Sequence, residues 1–179
     1  MLSEQTFRKS SRSLLFLVIL SSVCCCKNTS EKKEVLYTDL EKRGELFYII
    51  GKKRPFTGKA IEYYENTTNK ATEFSYENGV LHGPALQFHK NGKLAGEFAY
   101  QNGVGQGTLR EFYENGQKKH EVEVLAGKKE GIERNWFENG NKMSEVTYKQ
   151  GLIDGRCISW DIDGNIVQNY EAHETPVDK

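Results

Sequence analysis

Residues Gly107 to Glu130 read GTLREFYENGQKKHEVEVLAGKKE, and this pattern returns every 24 residues along most of the chain. Three glycine positions, one glutamate position and one aromatic position keep the same step. They are Gly79, Gly103, Gly127 and Gly151; Gly83, Gly107, Gly131 and Gly155; Gly92, Gly116, Gly140 and Gly164; Glu73, Glu97, Glu121 and Glu145; and Phe88, Phe112, Trp136 and Trp160. A fixed period of this length indicates a repeat protein, in which each unit buries its apolar surface only against its neighbours.

Each unit carries the turn signals of one β-hairpin. Asn115-Gly116 separates two short alternating runs, and such a pair favours a two-residue type I′ turn because both residues tolerate positive φ. Residues 127–131, from glycine to glycine, are then expected to form a slightly longer loop that starts the next hairpin. The predicted turn glycines are Gly92, Gly116, Gly140 and Gly164.

The sequence therefore predicts an all-β fold, an elongated single-layer antiparallel meander of 24-residue β-hairpin repeats. No long helix-period stretch lies between the hairpins, and parallel pairing would need long crossover connections. The array is expected to cover residues 40–173, with a degenerate first copy around Tyr63 to Thr67 and a polar tail at 174–179. Terminal copies deviate because they must cap the array.

The N-terminus has the pattern of an export signal. Basic residues at 8, 9 and 12 precede the apolar run Leu14 to Val23. That run is about 15 Å long as a helix, roughly half of the ~30 Å bilayer core. The order of basic residues, short apolar run and small residues favours a signal peptide, with an uncleaved anchor or a buried apolar segment as the alternatives.

Three adjacent cysteines follow the apolar run, where a bacterial lipoprotein carries its acylated cysteine. We predict lipidation at one of Cys24, Cys25 and Cys26. Residues 1–26 are then the signal, and the charged residues 27–39 form a tether to the repeat array. A metal site there is the weaker interpretation, because adjacent cysteines cannot spread around a tetrahedral ion.

Composition and motifs favour no enzyme, cofactor or nucleic-acid partner. Lys and Arg together number 25 and Asp and Glu 25, so no basic excess indicates nucleic-acid binding. The glycine-rich residues 103–107 precede a predicted strand, whereas a phosphate cradle needs a helix. The histidines occupy different repeat positions, and no serine stands in a nucleophile motif. We therefore expect no catalytic residues and no metal site.

The aromatic residues are the best candidates for a functional surface. Phe88, Phe112, Trp136 and Trp160 are expected on one face, where they pack. The residues that follow the first three point to the opposite face, because side chains alternate along a strand. Binding of an extended peptide or a glycan is the functional hypothesis for this second column, and cross-strand packing is the alternative. The predicted binding-face residues are His89, Tyr113 and Phe137.

The Gly-x-x-x-Gly loops that alternate with aromatic-x-x-Asn-Gly hairpins resemble the bacterial variant of the MORN repeat. Residues 40–48, LEKRGELFY, and residues 55–58, PFTG, look like the start of the YwqK-family antitoxins. The resemblance implies a noncatalytic binding or scaffolding module, and the YwqK name implies neutralisation of a cognate toxin.

Combined with the export signal, this resemblance predicts a protein-interaction module of the bacterial envelope. It would be held on the periplasmic or outer-surface side by its N-terminal lipid and would bind a protein partner. An antitoxin or immunity protein is the alternative.

Overall fold

The computed structural model describes residues 33–173. The predicted signal at 1–26, including Cys24, Cys25 and Cys26, lies outside the described residues, as does the tail at 174–179. The described part contains a one-turn 3-10 helix, Tyr37–Asp39, and fourteen strands. These are β1 Glu34–Leu36, β2 Leu40–Arg43, β3 Leu46–Ile49, β4 Gly58–Tyr63, β5 Lys70–Glu77, β6 Val80–Phe88, β7 Leu94–Gln101, β8 Val104–Gly105, β9 Gly107–Phe112, β10 Lys118–Leu125, β11 Lys128–Trp136, β12 Lys142–Lys149, β13 Leu152–Trp160 and β14 Ile166–His173.

The predicted all-β meander is confirmed. From β4 to β14 the strands pair antiparallel with their neighbours in sequence, and the two-residue strand β8 extends the pairing of β7. One pairing departs from the meander, because β1 runs parallel to β4 with Glu34 opposite Lys59. Residues 37–57, which include the separate β2–β3 hairpin, provide the long crossover that parallel pairing requires. Residues 34–39 of the predicted tether thus lie in β1 and the 3-10 turn.

The type I′ turns and the longer turns occupy the opposite junctions from those predicted by the sequence. Leu125 pairs directly with Lys128, and the two residues between them, Ala126 and Gly127, have φ values of 50° and 78°. Positive φ at both central positions defines the type I′ turn. The same conformation occurs at Asn78-Gly79, Asn102-Gly103 and Gln150-Gly151. The type I′ turns therefore lie where a longer loop was expected.

The Asn-Gly junctions form three-residue turns. Gly116 N–H donates to the Tyr113 carbonyl at 2.8 Å, and Tyr113 N–H donates to the Gln117 carbonyl at 2.9 Å. Only the glycine has positive φ, 92° at Gly116, which is a type I turn followed by a left-handed residue. Asn115 contributes its side chain instead, because its Oδ1 accepts the Gln117 N–H at 2.8 Å. The type I′ prediction for these junctions is wrong for this reason.

The second glycine of each unit lies at a β-bulge. Glu121 pairs with Arg134 and Glu123 pairs with Glu130, so residues 131–133 of β11 oppose Val122 alone. Gly131, with φ of 73°, sits in this irregularity, and Gly83, Gly107 and Gly155 take equivalent places. A bulge bends its strand and increases the local twist. The predicted loop at 127–131 is wrong, because β11 already begins at Lys128.

The N-terminal end of the sheet is covered by the β2–β3 hairpin. Phe47 of the hairpin and Phe56 contact Tyr76 of β5, with ring centroids 5.1 Å and 5.8 Å apart. Phe56, Ala60 and Tyr76 form the buried cluster here. Burial, together with a smaller effect of Tyr37, raises the pKa of Tyr76 to about 12. Residues 33–173 include no helix long and apolar enough to cross a membrane.

Pairing register assigns the side chains of the repeats to two faces, because directly opposed residues project to the same side. The ladder face carries a row of charged residues, and the apolar face carries a row of mainly apolar residues. The ladder row is Glu97, Arg110, Glu121, Arg134 and Glu145. The apolar row includes Phe74, Ala85, Phe98, Leu109, Val122, Glu133, Val146 and Cys157.

Candidate functional site

The charged residues of the ladder face form ion pairs with one another across neighbouring strands. Arg110 lies between two glutamates, with Nη1 2.8 Å from Glu97 Oε1 and Nε 3.1 Å from Glu121 Oε2. Arg134 repeats the arrangement at 3.4 Å from Glu145. Hydrogen bonds from Lys118 and Arg110 hold the pKa of Glu121 below its usual value, although burial raises it. Each charged residue of the ladder therefore has an oppositely charged partner within the sheet.

Next to the ladder lies a surface that we call the aromatic–lysine row, formed by Phe112, Trp136, Trp160, Lys118 and Lys142. Lys118 Nζ lies 5.5 Å from the Trp136 ring centroid, and Lys142 Nζ lies 5.6 Å from that of Trp160. Both distances fit cation–π contacts. Each lysine also binds the glutamate of its own strand, at 2.8 Å for Lys118 and 2.7 Å for Lys142. The row thus continues across strand boundaries and joins consecutive repeats.

The predicted binding-face residues form a row just beyond the strand ends, one in each repeat. His89 Nε2 donates to the Phe112 carbonyl at 2.9 Å, and Tyr113 Oη donates to the Trp136 carbonyl at 2.7 Å. Phe137 occupies the equivalent place without a polar atom, and all three are partly buried. The polar contacts join each repeat to the next. A binding role for His89, Tyr113 and Phe137 stays a prediction.

The other sequence-predicted residues keep local roles. Gly92, Gly116, Gly140 and Gly164 lie in the three-residue turns with φ between 81° and 92°. Cys157 is buried on the apolar face opposite Val146. Residues 33–173 contain no group of three or more His, Cys, Asp and Glu side chains placed to hold a metal ion.

The apolar face contains an open groove of about 240 Å³ that the sequence did not indicate. Its lining includes two small residues, Ala85 and Gly96, among larger neighbours. The equivalent positions one repeat later hold Leu109 and His120. This loss of side-chain volume was the available sequence signal. The groove is also lined by Thr72, Phe74, Gln87, Phe98, Tyr100, Leu109 and Glu111.

A buried charged triad lies on the same face, two strands farther along. Glu133 occupies the row position that holds Leu109 and Ala85 in earlier repeats, and it is only 8% exposed. Its Oε1 accepts hydrogen bonds from His120 Nε2 at 2.7 Å and from Lys129 Nζ at 2.6 Å. The Lys129 ammonium also lies 4.8 Å from the Tyr148 ring centroid. Every charged member of the triad therefore has a partner within the sheet.

Electrostatics keep Glu133 and Lys129 of this triad ionised. Burial raises the pKa of Glu133, but the hydrogen bonds from Lys129 and His120 outweigh burial and lower the pKa below 4.5. Burial lowers the pKa of Lys129, and the contact with Glu133 outweighs it, so the pKa of Lys129 is raised. The pairing therefore favours the ionised form of both groups and stabilises the fold at neutral pH.

Three repeats of the chain each match a known repeat family. Residues 81–102, 106–124 and 129–150 match the model of the MORN repeat variant. Each matched stretch covers most of one first strand, its three-residue turn and the following second strand. No curated protein matches the chain. The matched stretches contain most of the ladder and of the aromatic–lysine row.

The triad makes a pH-dependent contribution to stability. Glu133→Gln should lower the free energy of unfolding by roughly 1–3 kcal/mol at neutral pH, because charged hydrogen bonds on a buried face are lost. The folded-state pKa of Glu133 lies below its ordinary value of 4.5. The stability that the ionised carboxylate provides is therefore fully present above pH 4.5 and is lost as the pH falls through the folded-state pKa. Urea unfolding over a series of pH values measures the difference.

The matched control is Glu114→Gln, which changes an exposed glutamate in a turn. It should alter the free energy of unfolding by less than ~0.5 kcal/mol at every pH. A Glu133→Gln effect that stays constant from neutral to strongly acidic pH contradicts the lowered pKa of Glu133.

Proposed function

We propose that this chain, three stretches of which match the MORN repeat variant, is a noncatalytic protein-binding module whose partner contacts the aromatic–lysine row. Repeats of this family are binding modules without enzymatic activity. The observation that carries the proposal is the continuous row in which Trp136 and Trp160 stay partly exposed beside Lys118 and Lys142. Aromatic residues are enriched at protein interfaces and among the residues that dominate binding energy.

The lysines of the row support a partner that brings carboxylates. The side chains of Lys118 and Lys142 are 46% and 51% exposed, so a partner's acidic residue could approach either ammonium without displacing Glu121 or Glu145. The Trp rings beside them supply apolar area. An acidic and apolar protein surface fits this combination better than a basic one, which would meet the lysines with like charge.

The row also has the extent that a specific contact needs. A stable protein interface buries about 800 Å² on each partner, which one hairpin does not offer. Because the row crosses strand boundaries, side chains from several repeats can contribute together. This favours recognition across repeats over recognition by one turn.

We further propose that the module acts in the bacterial envelope as a lipid-anchored protein. The basic residues, the apolar run and Cys24, Cys25 and Cys26 support this location. An antitoxin or immunity function is the second candidate, favoured by the YwqK-like segments at 40–48 and 55–58. Protection of host cells against the product of a neighbouring toxin gene distinguishes the second candidate from the first.

A paired alanine experiment tests the binding surface. Trp136→Ala with Trp160→Ala should weaken binding about 30-fold or more, because interface tryptophans often contribute 2 kcal/mol or more. The partner is first identified by crosslinking in the native host, and its affinity is then measured by biolayer interferometry. The comparison variant is Tyr113→Ala with Phe137→Ala, which also removes the hydrogen bond to the Trp136 carbonyl.

We expect the comparison variant mainly to lower the melting temperature. Its affinity for the partner should fall less than that of the tryptophan variant. If it abolishes binding while the tryptophan variant binds normally, the partner occupies the row of His89, Tyr113 and Phe137 instead.

The proposed membrane anchoring is tested separately. Replacing Cys24, Cys25 and Cys26 together by serine should release a soluble form from the membrane fraction, because the acylation site is gone. Fractionation and mass spectrometry of the N-terminus measure the outcome. Membrane retention with an unprocessed N-terminus would instead identify an uncleaved anchor.

A further inference from the structure

The outer edge of β14 is built like an internal pairing position of the sheet. Strands β10, β12 and β14 begin at residues 118, 142 and 166 and end at 125, 149 and 173, so they are equivalent strands of three repeats. The outer edges of β10 and β12 pair with β11 and β13. Among residues 33–173, no strand pairs with the outer edge of β14. Its free N–H and C=O groups can therefore accept another strand.

The side chains at this end are apolar and exposed. Ile166, Val167 and Tyr170 are 57%, 59% and 54% exposed, and Ile162 in the preceding turn is 54% exposed. By contrast, Val122 of β10, at the position equivalent to Tyr170, is 1% exposed because β11 covers it. The opposite end of the sheet differs, since β1 and the β2–β3 hairpin cover it. Exposed apolar side chains beside a free strand edge favour addition of a strand.

We propose that the free edge of β14 binds an extended strand of another protein by antiparallel β-addition. This surface is an edge, independent of the aromatic–lysine row, so the inference goes beyond the proposed function. The pairing of β12 with β13 indicates the chemistry of the strand. Ile158, Cys157 and Ile153 of β13 oppose Glu145, Val146 and Tyr148 of β12.

The residues of β14 equivalent to Glu145, Val146 and Tyr148 of β12 lie one repeat later in the sequence. They are Asn169, Tyr170 and Ala172. The incoming strand is therefore apolar where it faces Tyr170 and Ala172. At its C-terminal end it carries an aromatic residue near Ile166, as Trp160 lies beside Lys142. Thr147, the equivalent of Glu171, donates its hydroxyl to the Arg156 carbonyl at 3.1 Å, so the backbone of Arg156 lies beside this position. A basic residue at the matching place of the incoming strand is therefore expected near Glu171, which within the chain already lies opposite Arg156 of β13.

The sequence after β14 favours a strand from another molecule. Gly127 and Gly151 make the type I′ turns that lead into β11 and β13. Thr175 stands at the next equivalent position, and positive φ is strained for a β-branched residue. Pro176 follows and has no N–H to donate to a neighbouring strand. The turn that delivers the next strand in the earlier repeats is thus not encoded there.

A peptide with the sequence of β13 tests the proposal. The probe is LIDGRSISW, residues 152–160 with serine in place of Cys157, labelled with a fluorophore and titrated with the full chain. We expect a saturable rise in anisotropy and slower hydrogen exchange at the amides of residues 167–171. A peptide of the same residues in scrambled order is the control and should not bind.

A charge swap locates the contact. Glu171→Arg should weaken probe binding about tenfold or more, which is about 1.4 kcal/mol. The probe with glutamate in place of its arginine, LIDGESISW, should recover that loss on the Glu171→Arg chain. Glu114→Arg, in an exposed turn far from β14 in sequence, is the matched control and should bind the original probe normally. Trp136→Ala should also bind it normally, which separates this edge from the aromatic–lysine row.

Three results overturn the proposal. The first is no saturable binding of LIDGRSISW by a folded chain. The second is full protection of the β14 amides in the free, dilute chain, which means that the chain covers its own edge. The third is protection that rises with protein concentration together with dimer formation in sedimentation, which assigns the edge to a second copy.

Discussion

The repeat array depends on one backbone hydrogen bond at each type I′ turn. The N–H groups of Gly103, Gly127 and Gly151 donate to the carbonyls of Leu81, Gly105 and Lys129 at 2.8–2.9 Å, and each bond links a turn to the preceding repeat. The positive φ of the glycine directs its N–H away from its own hairpin. Because each bond joins a turn to a strand of the preceding unit, consecutive type I′ turns stand one full unit apart. The other edge is joined in a similar way by the Tyr113 hydroxyl and by the Asn115 amide, which donates to the Glu138 carbonyl at 3.0 Å.

These edge bonds allow a sheet with little second-layer cover to remain ordered. Cross-strand pairs contribute about 0.2–1 kcal/mol each, so stability is spread over many weak contacts. The ladder, the aromatic–lysine row and the buried triad are three forms of such pairing. Each joins neighbouring strands, and several join neighbouring repeats. A surface built in this way presents side chains from many strands at fixed spacing, which suits recognition of another protein.

Much of the fold could be predicted because the period is written in residue types with strong backbone preferences. Repeated glycines and the absence of long connections were enough to indicate an antiparallel meander. The turn types could not be assigned correctly, because Ala126 and Gln150 adopt positive φ that non-glycine residues usually avoid. The strand register imposes it on them. The conformation of Asn115 was likewise hidden, because its side chain bonds the backbone of its own turn and of the next repeat.

The candidate site was predictable only in part. Alternation along strands predicted two sets of residues on opposite faces. The structure places the first set at the ends of β6, β9, β11 and β13, and His89, Tyr113 and Phe137 directly after the first three of these ends. The pairing of His120 with Glu133 was missed, because residues 127–131 were predicted as a loop and no register between β10 and β11 was assigned. The parallel strand β1 was missed because residues 34–36 carry no repeat signal. Contacts that depend on bulges or on distant strands leave no local pattern in one sequence.

The most direct test of the turn-to-turn linkage is a pair of deletions followed by calorimetric unfolding. Removing residues 107–130 deletes one whole unit and restores every turn to its proper neighbour. It should therefore leave a single cooperative transition with a smaller unfolding enthalpy. Removing residues 107–118 places type I′ turns beside three-residue turns, which breaks the linkage and should abolish the cooperative transition. Equal behaviour of the two deletions, whether both fold or both fail, would contradict the account.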